Sequence, residues 1–225
     1  MSKNIKLFII DFDDFNDSDM QNIALKLRNC DVELDSNSKT YKEKLFSQFI
    51  RHNVLRDFLK LSEIEFSVNQ NNKPYLESHS HTYFNISHTK NHIVMAVADR
   101  EIGVDIEELV SSKSFIGIAK RYFSDCEINE LEQSLSLEKD FYTLWTLKES
   151  QVKRNSLGIA YGLKDATFFK KGDRWVSENF SKDFLTCFYG KAVMSICVND
   201  IVSKKIELIR IDGNGTFIAA KINQD

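Results

Sequence analysis

Ile102-Gly103-Val104-Asp105-Ile106-Glu107 alternates strictly. In a strand, successive side chains point to opposite faces, so Ile102, Val104 and Ile106 line one face and Gly103, Asp105 and Glu107 the other. Two carboxylates side by side on one face repel each other unless water or a cation lies between them. Oxygen ligands of this kind suit Mg²⁺, which takes one or two carboxylates plus substrate phosphates and waters. The plainer reading of the same six residues is a half-exposed strand with its acids outward.

Upstream, His92 to Asp99 reads as a buried strand, joined to the first through Asp99-Arg100-Glu101. Leu7 to Ile10 reads as a short strand, Ser18 to Asn29 as a helix, and Lys39 to Leu61 as a longer amphipathic helix with Leu45, Phe49, Ile50, Val54, Leu55 and Phe58 at helical spacing. Downstream, Ser111 to Arg154 is rich in helix, and Ser124-x-x-Glu127 has capping-box spacing. From Asp165 to Lys221 the chain is mostly strand: Ala166–Phe169, Arg174–Ser177, Phe184–Tyr189, Ala192–Val198, Ile206–Ile211 and Phe217–Ala220. The fold class is therefore mixed α+β. A boundary at residue 102 gives two halves, 1–102 and 103–225. Each runs helices before strands, which suggests a structural duplication.

Composition narrows the function. All eight glycines follow residue 102, so the first hundred residues hold no glycine-rich phosphate loop. With one proline (Pro74) and 42% apolar residues, the chain is neither disordered nor linker-like. Thirty basic against thirty-three acidic residues disfavours a nucleic-acid footprint or a polybasic membrane tether. No apolar run approaches the roughly 20 residues of a membrane helix, and no export signal opens the chain. Cys30, Cys126, Cys187 and Cys197 lack paired spacing. Cys187 and Cys197 fall on two arms of a hairpin turning at Gly190-Lys191, in a register that sets Cys187 against Met194. All four read as free thiols of a cytoplasmic protein.

Two other stretches carry possible chemistry. On a helix from about Glu138 to Arg154, Trp145, Glu149 and Lys153 share one stripe. They form either an ordinary Glu–Lys pair beside a core tryptophan or a third metal carboxylate with a phosphate-binding lysine. Phe84-Asn85-Ile86-Ser87-His88-Thr89 reads as a turn ahead of a strand, either merely hydrogen-bonded or binding phosphate. Adjacent Ser87 and His88 do not make a protease pair. His79, His81, His88 and His92 lack the cysteine pair that would support zinc.

Together these stretches resemble the 4′-phosphopantetheinyl transferases of the long, surfactin-synthetase-activating type. The matching blocks are Lys73-Pro74, Phe84 to Thr89, Ile102 to Glu107, Ala119-Lys120-Arg121-Tyr122-Phe123-Ser124, and Phe141-Tyr142-x-Leu144-Trp145-Thr146-x-Lys148-Glu149-Ser150-x-x-Lys153. The similarity runs from about residue 73 to 163. It implies two similar α/β halves about a pseudo-twofold axis, with coenzyme A in the cleft between them. It also implies a monomeric holo-[acyl-carrier-protein] synthase that moves phosphopantetheine from coenzyme A onto a serine of an apo carrier protein, releasing 3′,5′-ADP.

Carried across by position, Asp105, Glu107 and Glu149 match Mg²⁺ ligands, and Lys153 matches a lysine on the phosphates. Ser87 and His88 match nucleotide-side phosphate contacts, while Lys73 and Pro74 match a turn against the adenine. Lys44 lies nearest the family's coenzyme-binding arginine; Lys26, Arg28, Lys39 and Lys42 are further basic candidates. Glu149 is also the candidate base for the serine hydroxyl, directly or through a metal-bound water. Val110, Phe115, Ile116, Ile118, Lys120, Arg121 and Tyr122 are expected to dock the acidic carrier. Where the family has glycine before Lys-Pro this chain has Asn72, which tolerates a left-handed backbone. It keeps the family's Gly158 but lacks a following proline. A metal-dependent nuclease would need Glu-x-Lys on a strand, whereas Glu149 and Lys153 are four apart on a helix. A non-catalytic coenzyme A-binding module would be favoured by loss of a carboxylate, and all three are present.

Overall fold

A computed structural model describes the chain except residues 1–3, 29–31, 33, 112–113, 157–162, 165, 178–182, 222 and 225. Cys30 and the whole stretch from Gly158 to Gly162 lie outside the described residues.

The strands form two main sheets. β1 (Asn4–Asp11), β4 (Tyr83–His88), β5 (His92–Ala98), β11 (Lys205–Ile211) and β12 (Phe217–Ala220) make a five-stranded sheet ordered β12-β11-β1-β5-β4. β6 (Ile102–Glu108), β9 (Phe184–Tyr189), β10 (Ala192–Val198) and β13 (Asn223–Gln224) make a second sheet ordered β13-β9-β10-β6. Two small hairpins, β2 (Phe66–Val68) with β3 (Pro74–Leu76) and β7 (Phe168–Lys171) with β8 (Arg174–Ser177), lie apart from both. The helices are α1 (Asp17–Arg28), α2 (Tyr41–His52), α3 (Phe115–Tyr122), α4 (Asp125–Glu132) and α5 (Leu137–Asn155). None is long and apolar enough to cross a membrane.

Four layers follow from which strand faces are apolar. β1 is apolar on both faces. Its Phe8 and Ile10 join Ile23, Leu45, Phe46 and Phe49 of α1 and α2 in one core. Its Ile5, Leu7 and Ile9 join Val94, Ala96, Val104, Ile106, Met194 and Ile196 in a second core, between the two sheets. A third core gathers Phe115, Ala119, Leu131, Phe141, Leu144 and Leu147 of α3 to α5 with Phe168 and Trp175. A sheet apolar on both faces must be covered on both.

The alternation expected in Ile102–Glu107 holds, with Ile102, Val104 and Ile106 in the inter-sheet core. The half-exposed version does not hold: Gly103 and Asp105 are buried as well, because α5 lies against that face of β6. Gly103 permits the close approach. A Cβ there would lie 1.9 Å from the Ser150 carbonyl oxygen and 2.5 Å from the Arg154 nitrogen. Thr146 on α5 is fastened to β10 through a 2.8 Å hydroxyl–hydroxyl bond with Ser195.

Two expectations need correcting. Residues 84–88 are strand β4, not a turn, because Asn85 and Ser87 turn inward to hydrogen-bond β6 rather than to solvent. The Lys39–Leu61 helix is α2 followed by a separate π-helical stretch, Asn53–Phe58, where the hydrogen bonding widens. β11 pairs in parallel with β1, setting Asn4 against Lys205, so the first sheet takes strands from before and after residue 102. The capping box is present, with Glu127 Oε2 accepting the Ser124 N–H at 2.8 Å. So is the hairpin register Cys187–Met194; the described cysteines Cys126, Cys187 and Cys197 are free thiols.

Candidate active site

The site forms where the edges of the two sheets meet under α5. β4 ends one sheet and β6 the other, and Asn85 bridges them by accepting the Val104 N–H at 2.9 Å. Slightly further along the two strands, Ser87 and Asp105 face each other. The Ser87 hydroxyl donates to Asp105 Oδ1 at 2.8 Å. Lys153, reaching down from the last turns of α5, donates to the same oxygen at 2.5 Å and to Ser87 Oγ at 2.8 Å. Ser87, Asp105 and Lys153 thus form a closed triangle with contributions from both halves of the chain.

Glu107 and Glu149 complete a charged group. Asp105 is 3% and Glu149 4% exposed. Asp105 Oδ2 and Glu149 Oε1 are buried without any hydrogen-bond partner. Burial, then the neighbouring Asp105 charge, pushes the Glu107 carboxyl up to about 7, against the pull of Lys153. The same two causes, again opposed by Lys153, raise Glu149 to about 7. One lysine does not neutralise three carboxylates, and unpaired buried carboxylate oxygens are costly.

Among the described residues, no three His, Cys, Asp or Glu side chains converge closely enough to hold an ion as they stand. The donor chemistry nevertheless fits a hard cation: oxygen ligands, surplus negative charge and two orphaned oxygens. A consequence can be measured without any substrate. An unfolded glutamate ionises near 4.5, whereas Glu107 and Glu149 in the folded, metal-free protein ionise near 7. Their contribution to stability is therefore whole below the unfolded value and is lost as pH rises through the folded one. With chelator present, the melting temperature is expected to fall between about pH 6 and about pH 8, and added Mg²⁺ to raise it more at the higher pH. A Mg²⁺ effect equal at both values would contradict this account.

The remaining predicted residues lie further out. His88 is exposed at the end of β4 and Lys44 is exposed on α2; no hydrogen bond among the described residues joins either to the triangle. Pro74 opens β3 and, with Lys73, Leu76, Tyr83 and Phe84, lines a cavity of about 290 Å³. Asn72 adopts φ 61°, the left-handed conformation its glycine-like position requires. Beside Glu107, a second cavity of about 220 Å³ is lined by Phe115, Ile118, Phe141, Tyr142 and Trp145.

Two supporting groups escaped the sequence reading. Lys148, wholly buried, meets Glu127 Oε1 at 2.9 Å and donates to the carbonyls of Leu163 (2.8 Å) and Ala166 (2.5 Å). Glu127 Oε1 also accepts the Phe168 N–H at 2.9 Å, so this pair ties α4, α5 and β7 together. Glu108 accepts from Thr89, and from both the backbone and side chain of Asn91, fixing the β4–β5 turn. In the sequence Glu127 stood out only as a cap, and Lys148 and Thr89 only as members of matching blocks.

Fold and site together define a four-layer α+β protein with a buried carboxylate–lysine centre at a seam between sheets. Residues 101–197, which hold β6, α5 and most of that centre, match the 4′-phosphopantetheinyl transferase superfamily. It is similar to a 4′-phosphopantetheinyl transferase of Bacillus subtilis, 35% identical over 127 residues, which are 56% of this chain and 56% of that protein. It is also similar to 4′-phosphopantetheinyl transferase Sfp of Bacillus subtilis strain 168, 31% identical over 145 residues, or 62% of each chain. An L-aminoadipate-semialdehyde dehydrogenase-phosphopantetheinyl transferase of Xenopus laevis is 29% identical over 146 residues, 56% of this chain and 47% of its own. The chain thus spans about half to three fifths of the length of the curated relatives it matches.

Proposed function

We propose that this chain transfers 4′-phosphopantetheine from coenzyme A to a serine of an apo carrier protein, with release of 3′,5′-ADP. The observation that carries the reading is the triangle of Ser87, Asp105 and Lys153 beside the orphaned oxygen of Glu149. Asp105, Glu107 and Glu149 would hold Mg²⁺. When bound, that ion supplies positive charge against the pyrophosphate of coenzyme A as its P–O bond breaks.

The protein's own groups do the rest. Lys153 has its ammonium at the centre of the site and exchanges the Asp105 and Ser87 oxygens for a phosphate oxygen, stabilising charge that grows in the transition state. Ser87 withdraws its hydroxyl proton from Asp105 Oδ1 and turns it to the same phosphate. Glu149 accepts the proton of the incoming serine hydroxyl, directly or through a metal-bound water. The Lys73-Pro74 turn and its cavity receive the adenine end, with His88 and Lys44 at the exposed margin for the remaining phosphate charge.

The apolar cavity beside Glu107 adjoins Phe115 and Ile118, and Lys120 and Arg121 lie exposed on the same helix. This face suits an acidic carrier. Charge reversal at Lys120 and Arg121 is expected to raise the KM for carrier about tenfold or more, with the KM for coenzyme A unchanged. Equal carrier KM in the variant would remove this face from the proposal.

We also read the two sheets as duplicated halves, 1–102 and 103–225, about a pseudo-twofold axis in one monomeric chain. Matched order supports this: β1-β5-β4 and β6-β10-β9 each follow the sequence strand, helices, small hairpin, paired strands. The free thiols suit the reducing cytoplasm. The deciding experiment incubates the protein with Mg²⁺, coenzyme A and several apo carriers, then measures carrier mass. A gain of one phosphopantetheine is expected, and no gain on any carrier would overturn the reading.

A further inference from the structure

We infer that the side chain of Lys73 is a positioning residue for the catalytic helix, not a ligand of the coenzyme; the inference rests on the transferase reading of this site. A lysine ammonium has three protons to donate. Lys73 commits them to three acceptors: Glu101 Oε2 at 2.8 Å, the Ile102 carbonyl at 3.2 Å and the Arg154 carbonyl at 3.0 Å. Its side chain is only 11% exposed. No donor remains for a phosphate unless one of these bonds breaks.

The three acceptors are informative by position. Ile102 opens β6, the strand that carries Asp105 and Glu107. Arg154 lies in the last turn of α5, next to Lys153, where helix carbonyls have no partner within the helix. A cation at that end also meets the negative pole of the helix dipole. Lys73 thus pins the end of α5 to the start of β6 from a turn in the first half of the chain. Asn69 reinforces the clamp from the same turn. Its side-chain NH₂ donates to Ser156 Oγ at 3.2 Å, and its side-chain oxygen accepts the Lys73 N–H at 3.0 Å. Ser156 is the left-handed cap of α5. With Gly103 drawing α5 close on one side, this clamp fixes how far Lys153 and Glu149 reach toward Asp105. The backbone of the Lys73-Pro74 turn stays free to border the adenine cavity.

Lys73→Met keeps the length of the side chain and removes its donors. In the purified full chain, hydrogen exchange at the amides of Gln151 to Asn155 is expected to quicken about tenfold, with the rest of the protein unchanged. In the transfer assay, kcat is expected to fall about 10- to 100-fold while the KM for coenzyme A stays within about twofold. Unaltered kcat, unaltered exchange at those amides, or a KM increase alone overturns the inference. If wild-type protein transfers nothing, the transferase reading fails and the exchange measurement alone decides whether Lys73 clamps the helix. Should Lys73→Met not fold, Asn69→Ala, which cuts the link to Ser156, carries the same two measurements with the same expected directions.

Discussion

Gly103→Ala is expected to cost more than about 3 kcal/mol of stability and, in whatever protein folds, to lower transfer about 100-fold. The added methyl would lie 1.9 Å from the Ser150 carbonyl oxygen and 2.5 Å from the Arg154 nitrogen, both main chain. Main-chain atoms of a helix cannot swing aside as a side chain can, so α5 as a body must retreat. A retreat of about 1 Å or more takes Lys153 and Glu149 out of reach of Asp105, and misplacement on that scale has a large catalytic cost. Gly117 is the control. It lies on α3, and a methyl group added to it would meet nothing within 4 Å. Gly117→Ala should therefore stabilise by about 0.5–1 kcal/mol through helix propensity. Chemical denaturation of the two variants compares them directly. Similar stability in both would show that the β6–α5 contact is softer than its geometry.

Glu149→Gln should abolish transfer, with kcat down about 1,000-fold or more, while the fold stays intact. Glutamine fills the same volume but neither takes a proton nor carries charge for a cation. The stability effect runs the other way. Glu149 is a buried carboxylate, raised to about 7 by burial and by Asp105, so its charge weakens the metal-free fold at neutral pH and above. The variant should thus melt at the same temperature as wild type or higher in chelator at about pH 8, and should lose much of the Mg²⁺-induced stabilisation. Near-normal turnover would remove Glu149 from the mechanism. A lower melting temperature in chelator would show that its ionised form is better satisfied than its orphaned oxygen indicates.

The sequence revealed the parts of the candidate site that follow a period. Alternation over Ile102 to Glu107 and the four-residue spacing of Glu149 and Lys153 assign side chains to faces, and the faces are as expected. Ser87 was found as a residue but misplaced as a turn. A strand whose inward positions are Asn85 and Ser87 does not look apolar until its partner is known to be another strand edge. Lys73 shows a different limit. Its nitrogen is held by the carbonyls of Ile102 and Arg154, and main-chain acceptors have no letter in a sequence. Lys148 is similar: a lysine on a helix reads as solvent-exposed, and only the packing of α4, α5 and β7 around it explains its burial. The long-range pairing of β1 with β11 was beyond local pattern altogether. Both strands were expected, but nothing in either run names its neighbour.

That pairing also sets the order in which the sheet can be completed. β1 leaves the ribosome long before its neighbour on one side, β11, which begins at Lys205. Until then one long edge of a strongly apolar strand has unpaired N–H and C=O groups, the kind of edge to which other chains add. The nascent protein therefore carries an aggregation-prone edge through the synthesis of both helical layers and most of the second core. Only the arrival of β11 closes it.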